Sequence, residues 1–436
     1  MSLFVNYGYK LSVPNDLNVD GFVFQASAIP RHQLVRRKLH KSPQLNCKRF
    51  FDPQLYLAGL DANESSGACA KLATYSWFGI DGLKEYDSKQ QKQSEWKEEL
   101  EKMIADIWKS SPPKASADLE FVSQVVADCI NFQMQIGCTG LILPTPLIYD
   151  PGTNLSEELL WLDIGLDFVK KFNIDLPIYA TIAISDVCLR YSDPTENSLL
   201  DLILDSVSAR EAQGVYLVIE QSSEANEARQ IVNTRVLRSA LHLTHSFKKY
   251  AGLKVGVNFF GVFGLVLEAV GADFWATGWY KSLYRLRIAD KISRGRAFPL
   301  FWSQSAILDI HLEQDFDKIS DSELFERVAT KTPASQHLVD AAKYIRVREI
   351  PAWEHSISNI TAAQDHFFQA ISQAEIDQSR FSDVERLDFV ENMWLKPATN
   401  MESQISAILG PNKKTRTEHV QAWYDAFRLF RQDHAV

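Results

Sequence analysis

The middle of the chain alternates short β-branched runs with stretches whose apolar positions recur at helical spacing, the pattern of successive parallel βαβ units. Thr139–Pro146 (TGLILPTP) follows a stretch in which Phe121, Val125, Val126, Cys129 and Ile136 share one helical face. Leu176–Ile184 (LPIYATIAI) follows ELLWLDIGLDFVKKF, and Gly214–Glu220 (GVYLVIE) follows LLDLILDSVSAREAQ. Leu253–Asn258 (LKVGVN) comes after RVLRSALHLTHSFKKY, and Ala272–Thr277 (ADFWAT) after the short stretch VFGLVLEAV. These runs are continuously apolar rather than alternating, so they predict strands covered on both faces.

Weaker runs complete the set: Gly21–Ser27 (GFVFQAS), Phe50–Leu57 (FFDPQLYL) and Phe298–Trp302 (FPLFW). Pro53 makes the second of them poor as a central strand, because proline cannot donate to a ladder. Eight parallel strands with intervening helices predict a closed α/β fold, a (β/α)8 barrel of the TIM type. An open doubly wound sheet is the competing architecture. No G-x-G-x-x-G follows any strand, which removes the best support for its dinucleotide-binding form.

Two regions exceed a minimal barrel. Residues 82–118 include KEYDSKQQKQSEWKEELEKMIADIWKSSPPKASA, which reads as a charged helical insertion ending in a Pro112-Pro113 linker. Beyond residue 330 the β-runs stop. Trp353, Ile357, Ile360, Gln364, Phe367, Phe368 and Ile371 keep helical spacing, as do Val420, Trp423, Phe427 and Phe430. The expected organisation is a barrel over 1–330 and a C-terminal helical subdomain over 331–436.

Composition narrows the class. The chain has 436 residues, 46% hydrophobic, with 25 Phe, 14 Tyr and 10 Trp, which is far more apolar area than a disordered chain carries. Its formal charge of −9 argues against coating nucleic acid or an anionic membrane by bulk charge. Cys47, Cys69, Cys129, Cys138 and Cys188 form no C-x-x-C pair and read as buried thiols. The apolar stretch Val255–Trp279 contains Asn258, Glu268 and Asp273. Each acid would cost about 2.5–3.5 kcal/mol at a bilayer centre, so strand, short helix and strand explain it better. The opening MSLFVNYGYKLSV lacks the apolar core of a signal peptide, and the expected location is cytoplasmic, with no membrane contact.

In a parallel barrel, ligands meet the carboxyl ends of the strands. That rule selects Gln25, Ser27, Thr145, Ser185, Asp186, Glu220, Gln221, Asn258, Thr277, Gly278, Ser303 and Gln304. Asp186 and Glu220 end consecutive strands, and neighbouring strands lie about 4.8 Å apart. Two close carboxylates separate their pKa values, as acid–base or glycosidic-bond chemistry requires. They are the expected catalytic pair, with Asn258 orienting a polar group. No cofactor and no metal site is predicted; Mg²⁺ remains compatible with the pair, and Asp52 with Asp186 and Glu220 forms a third, metal-dependent possibility.

After ADFWAT come Gly278, Trp279, Tyr280, Lys281, Arg285 and Arg287, then Arg294 and Arg296. Glycine permits close backbone approach, lysine and arginine supply charge and forked donors, and the rings suit a base or sugar. The expected role is binding a small anionic substrate or nucleotide. Arg31, His32, Arg36, Arg37 and Lys38 add a second basic cluster. The bland alternatives are solvated helix faces and core aromatics. His242 and His245 lack an H-E-x-x-H signature and read as helix-surface residues.

The resulting expectation is a barrel enzyme for a phosphorylated, nucleotide-like or glycosidic substrate, cleaving or transferring a glycosidic bond. The alternative is a non-catalytic scaffold or nucleic-acid-associated subunit of a larger assembly, docking a protein partner through its insertion or C-terminal helices.

Overall fold

The computed structural model describes residues 2–8, 17, 19–37, 47–58, 66–78, 115–224, 229–288, 300–340 and 357–436. Eight parallel strands form one sheet in the ring order β3-β2-β1-β8-β7-β6-β5-β4. They are β1 (Leu3–Tyr7), β2 (Gly21–Gln25), β3 (Lys48–Asp52), β4 (Leu141–Ile142), β5 (Ile178–Ser185), β6 (Gly214–Glu220), β7 (Lys254–Asn258) and β8 (Phe274–Thr277). The ends of the sheet meet where Thr139 N–H donates to the Arg49 carbonyl at 2.8 Å and Arg49 N–H to Thr139 Oγ1 at 2.9 Å. The fold is therefore a (β/α)8 barrel of the TIM type.

One predicted strand was misplaced. Leu300–Ser303 (β9) pairs antiparallel with Leu308–His311 (β10) in a separate hairpin, so the FPLFW run does not belong to the ring. Its place is taken by β1 from the first residues of the chain, which hydrogen-bonds β2 and β8. The Phe50–Leu57 run stops at Asp52, one residue before Pro53, and continues as a 3-10 turn over Leu55–Leu57. Val255–Trp279 is strand, short helix and strand, and among the described residues no helix is long and apolar enough to cross a membrane.

The barrel floor explains its glycines. Rings of Phe4, Phe50, Tyr179 and Phe274 fill the interior, with centroids 4.7 Å apart for Phe4–Phe274 and 5.0 Å for Phe50–Phe274. They come from strands that are not all neighbours, so they meet only inside the ring. Gly21, Gly140, Gly214 and Gly256 face them: a Cβ added at Gly256 would lie 2.0 Å from the Phe274 ring. Large and empty positions interleave around one layer, as close packing of a narrow barrel demands. Strand alternation from this layer assigns the inward positions above it: Asn6, Gln25, Asp52, Tyr216, Asn258, Ser185 and Glu220.

Helices surround the ring: α1 (Arg31–Arg37), α2 (Ser66–Leu72), α3 (Leu119–Gln135), α4 (Ser156–Lys171), α5 (Ser198–Ser208), α6 (Thr234–Lys249) and α7 (Gly264–Ala269). Side-chain caps set several starts: Asp118 accepts from Phe121 N–H, Asn197 from Leu199 N–H and Asn233 from Arg235 and Val236 N–H. After the short helix α8 (Lys281–Tyr284), the tail carries α9 (Ile357–Gln378), α10 (Asp383–Phe389), α11 (Lys396–Leu409) and α12 (Glu418–His434). The tail shares one apolar core with the barrel. Trp423 Nε1 donates to the Ile231 carbonyl at 3.1 Å, Gln378 to Leu265 at 2.9 Å and Trp394 Nε1 to Gln304 at 2.7 Å. Residues 82–114 of the predicted insertion, with Lys38, Arg294, Arg296 and Trp353, lie outside the described residues.

Candidate functional site at the barrel mouth

Asp186 directly follows the end of β5, and Glu220 ends the neighbouring strand β6. Ser185 and Glu220 are register partners on β5 and β6, and both acids are buried. Asp186 accepts from Ser222 Oγ at 2.6 Å, from Ser223 N–H at 2.9 Å and from the Ser223 hydroxyl. Glu220 accepts from Ser185 Oγ at 3.1 Å and from Ile288 N–H at 3.3 Å. Burial raises the Glu220 carboxyl above its ordinary range, and the charge of Asp186 pushes in the same direction.

Glu224 is a third acid that sequence reasoning missed. It is buried, accepts from Val232 N–H at 2.9 Å and Asn233 N–H at 3.3 Å, and is likewise raised by burial, while Arg285 pulls it down. Its signal was modest: the SSE triplet Ser222-Ser223-Glu224 directly follows the strand end and supplies both the donors for Asp186 and this acid.

A second polar group threads the interior. Asn6 donates to Asn258 Oδ1 at 2.7 Å, Asn258 Nδ2 to Tyr216 Oη at 2.5 Å, and Tyr216 Oη to Asp52 Oδ2 at 3.0 Å. Tyr56 donates to the same Asp52 oxygen at 2.6 Å, and Gln54 N–H to the other at 3.0 Å. Every bond points towards the carboxylate, the arrangement that best satisfies a buried anion. Asn258 thus spends its amide on neighbouring side chains and on Phe259 N–H at 2.7 Å. Asp52 belongs to this group. Among the described residues no three His, Cys, Asp or Glu side chains come together in a way that could hold a metal ion.

Left-handed backbone occurs at Gln54 (φ 54°), two residues past Asp52 of β3, and at Phe259 (φ 67°), directly after Asn258 of β7. Non-glycine residues rarely take this conformation, and here it turns the chain sharply at the mouth.

The segment after β8 folds across the mouth. Gln221 N–H donates to the Leu286 carbonyl at 2.8 Å, Glu220 bridges to Leu286, and Phe260 to Arg285. Asn6 Nδ2 also reaches the Leu283 carbonyl at 2.7 Å. Leu283 fills the space beside Gly278, where an added Cβ would sit 2.4 Å from its own Cβ. Arg285 is buried, whereas Lys281 and Arg287 are half-buried. Trp279 is buried against Tyr280 at 5.1 Å, and its carbonyl accepts from Arg229 at 2.9 Å.

Other residues selected from the sequence sit elsewhere. Ser303 and Gln304 belong to the β9–β10 hairpin, because FPLFW is not a ring strand. Thr145 donates to the Thr181 carbonyl at 3.1 Å, and Thr277 by alternation faces outward. Arg31 lies over the Phe132 ring at 5.5 Å, on the outer layer. His242 and His245 are half-buried against His434 of α12, not on an open helix surface. All five cysteines are free. Comparison with protein-family models, curated proteins and solved structures finds no match for this chain.

Proposed function

We propose that the chain is an enzyme of the hydrolase or glycosyl-transfer type, acting on a phosphorylated, nucleotide-like or glycosidic substrate through Asp186 and Glu220. The observation that carries this reading is the pairing itself: two buried acids on adjacent strand ends, with Glu220 raised by burial and by its partner. A carboxyl held protonated to higher pH is suited to give a proton to a leaving group. Asp186, cradled by Ser222 and Ser223, is then the base or the stabiliser of developing positive charge. Lys281, Arg285 and Arg287 would hold the anionic part of the substrate, and Trp279 and Tyr280 its flat part. Asn258 acts by positioning Tyr216 and Asn6.

The test is turnover of a panel of aryl glycosides, nucleosides and sugar phosphates by the full chain and by Glu220→Gln. A fall of about 100-fold or more with an unchanged circular dichroism spectrum supports the assignment. Full activity in the variant rejects it.

A second reading, a non-catalytic scaffold, is favoured by the chain's own Arg285–Leu286 segment pairing across Glu220, Gln221 and Phe260. It is preferred when the whole panel is left unchanged by wild type.

A further inference from the structure

We propose that the inward face of β1–β3 at the mouth is a binding subsite for a neutral, amide-edged group, such as a heterocyclic base or a carboxamide, read by Gln25. Most buried polar side chains of the interior are satisfied, through the Asn6–Asn258–Tyr216–Asp52 chain. Gln25 is not among them. Its side chain is 0% exposed, yet neither Oε1 nor Nε2 meets a hydrogen-bond partner. Burying an amide in that state is costly, and a leucine or methionine would fill the volume without the cost. An unsatisfied donor and acceptor side by side match an edge that offers an acceptor beside a donor.

The neighbours extend the same chemistry. Gln25 is the register partner of Asp52, and Gln54, just beyond β3, fixes its Oε1 on Ser27 N–H at 2.8 Å while its Nε2 has no partner. On the other side β1 carries Asn6, whose Oδ1 has none either. The subsite therefore presents donors from Gln25 and Gln54 and acceptors from Gln25 and Asn6. None of these groups is charged, and the carboxylate of Asp52 is engaged by Tyr56, Tyr216 and Gln54 N–H. That selects a neutral ligand edge over a phosphate or a carboxylate. The proposal rests on the same reading of the mouth as a ligand site, but not on the chemistry of Glu220.

Because Gln25 is closed from solvent, binding requires the mouth to open, and association is expected to be slower than simple docking. The test measures binding without turnover, so failure of the catalytic assignment leaves it separate. Uracil, adenine and nicotinamide are titrated into the full chain and into Gln25→Met, followed by ligand-observed NMR and by thermal unfolding. At least one probe is expected to bind wild type saturably and the variant about tenfold or more weakly, while the variant's Tm stays level or rises. Should Gln25→Met fail to fold, Gln25→Asn, which keeps the amide but withdraws it by one methylene, supplies the comparison. No saturable binding of any probe to wild type overturns the proposal, as does equal affinity in the variant that folds.

Discussion

The hydroxyl of Tyr216 donates to Asp52 Oδ2 at 3.0 Å, joining β6 to β3 across the inside of the barrel, between strands that are not neighbours in the sheet. Tyr216 also accepts from Asn258 Nδ2, so one oxygen couples the carboxylate to the amide. Tyr216→Phe leaves both of these buried groups short of a partner. It should destabilise the fold by about 1–3 kcal/mol, read by urea denaturation. An unchanged midpoint and slope would show that the interior chain contributes nothing.

The floor layer gives a sharper contrast between two glycines. At Gly256 an added Cβ lies 2.0 Å from the Phe274 ring, whereas at Gly67 on α2 nothing stands within 4 Å. Gly256→Ala is expected to cost about 1–3 kcal/mol through overpacking. Gly67→Ala, in a helix, should gain up to about 1 kcal/mol from propensity. Thermal unfolding of the two variants side by side checks both signs, and a neutral Gly256→Ala would mean the rings move aside freely.

The ring was legible because apolar runs such as GVYLVIE and LPIYATIAI must be covered on both faces, and helical periodicity supplied the covers. What was missed is that LFVNY, a short run of composition similar to FPLFW, is the ring strand. Each is too brief for periodicity to separate ring strand from hairpin, and only closure against both β2 and β8 decides it. Asp186 and Glu220 could be assigned to neighbouring strand ends because that position is a property of the sequence. The interior chain was not, since Asn6, Tyr216 and Asp52 become neighbours only when distant strands curl into one ring. Glu224 lay in plain sight but carries no pattern. Its role as a neighbour of Arg285 and Asp186 depends on a loop path.

Alkaline pH should loosen the contact between α7 and α9. Burial, reinforced by Glu375, pushes the Glu268 carboxyl up to about 8, far above its ordinary value. Glu375 is itself engaged by the N–H groups of Ser2 and Leu3 at the start of β1. A raised carboxyl binds its proton more tightly folded than unfolded. Its stabilising contribution is therefore complete below the ordinary carboxylate range and lost as pH rises through about 8. Glu268→Gln removes that dependence. Stability measured across this range should fall less steeply with pH in the variant than in wild type, and parallel profiles would refute the assignment.

Acid should act at the other end of the tail. His242 Nδ1 lies 3.1 Å from His434 Nε2, and the rings of His245 and His434 are 4.7 Å apart. One nitrogen of the close pair must accept, so protonating both rings replaces a hydrogen bond with repulsion. All three imidazoles are held below their ordinary value, chiefly by burial. A depressed histidine contributes stability above the unfolded value, and that contribution is lost as pH falls from there through the folded values. Arg238 opposes release, because it bonds Asp193 and Asp433 at 2.6 Å each and ties α6 to α12. Its hydrogen bonds help hold the Asp193 carboxyl below its ordinary value. In the acidic window that opens below about pH 6.5, α12 should therefore loosen while remaining tethered. Hydrogen exchange over Glu418–His434 should quicken there beyond the intrinsic pH effect, and His434→Asn should flatten the response. Exchange in α12 that tracks the rest of the chain through this window would show that the imidazoles do not govern its docking.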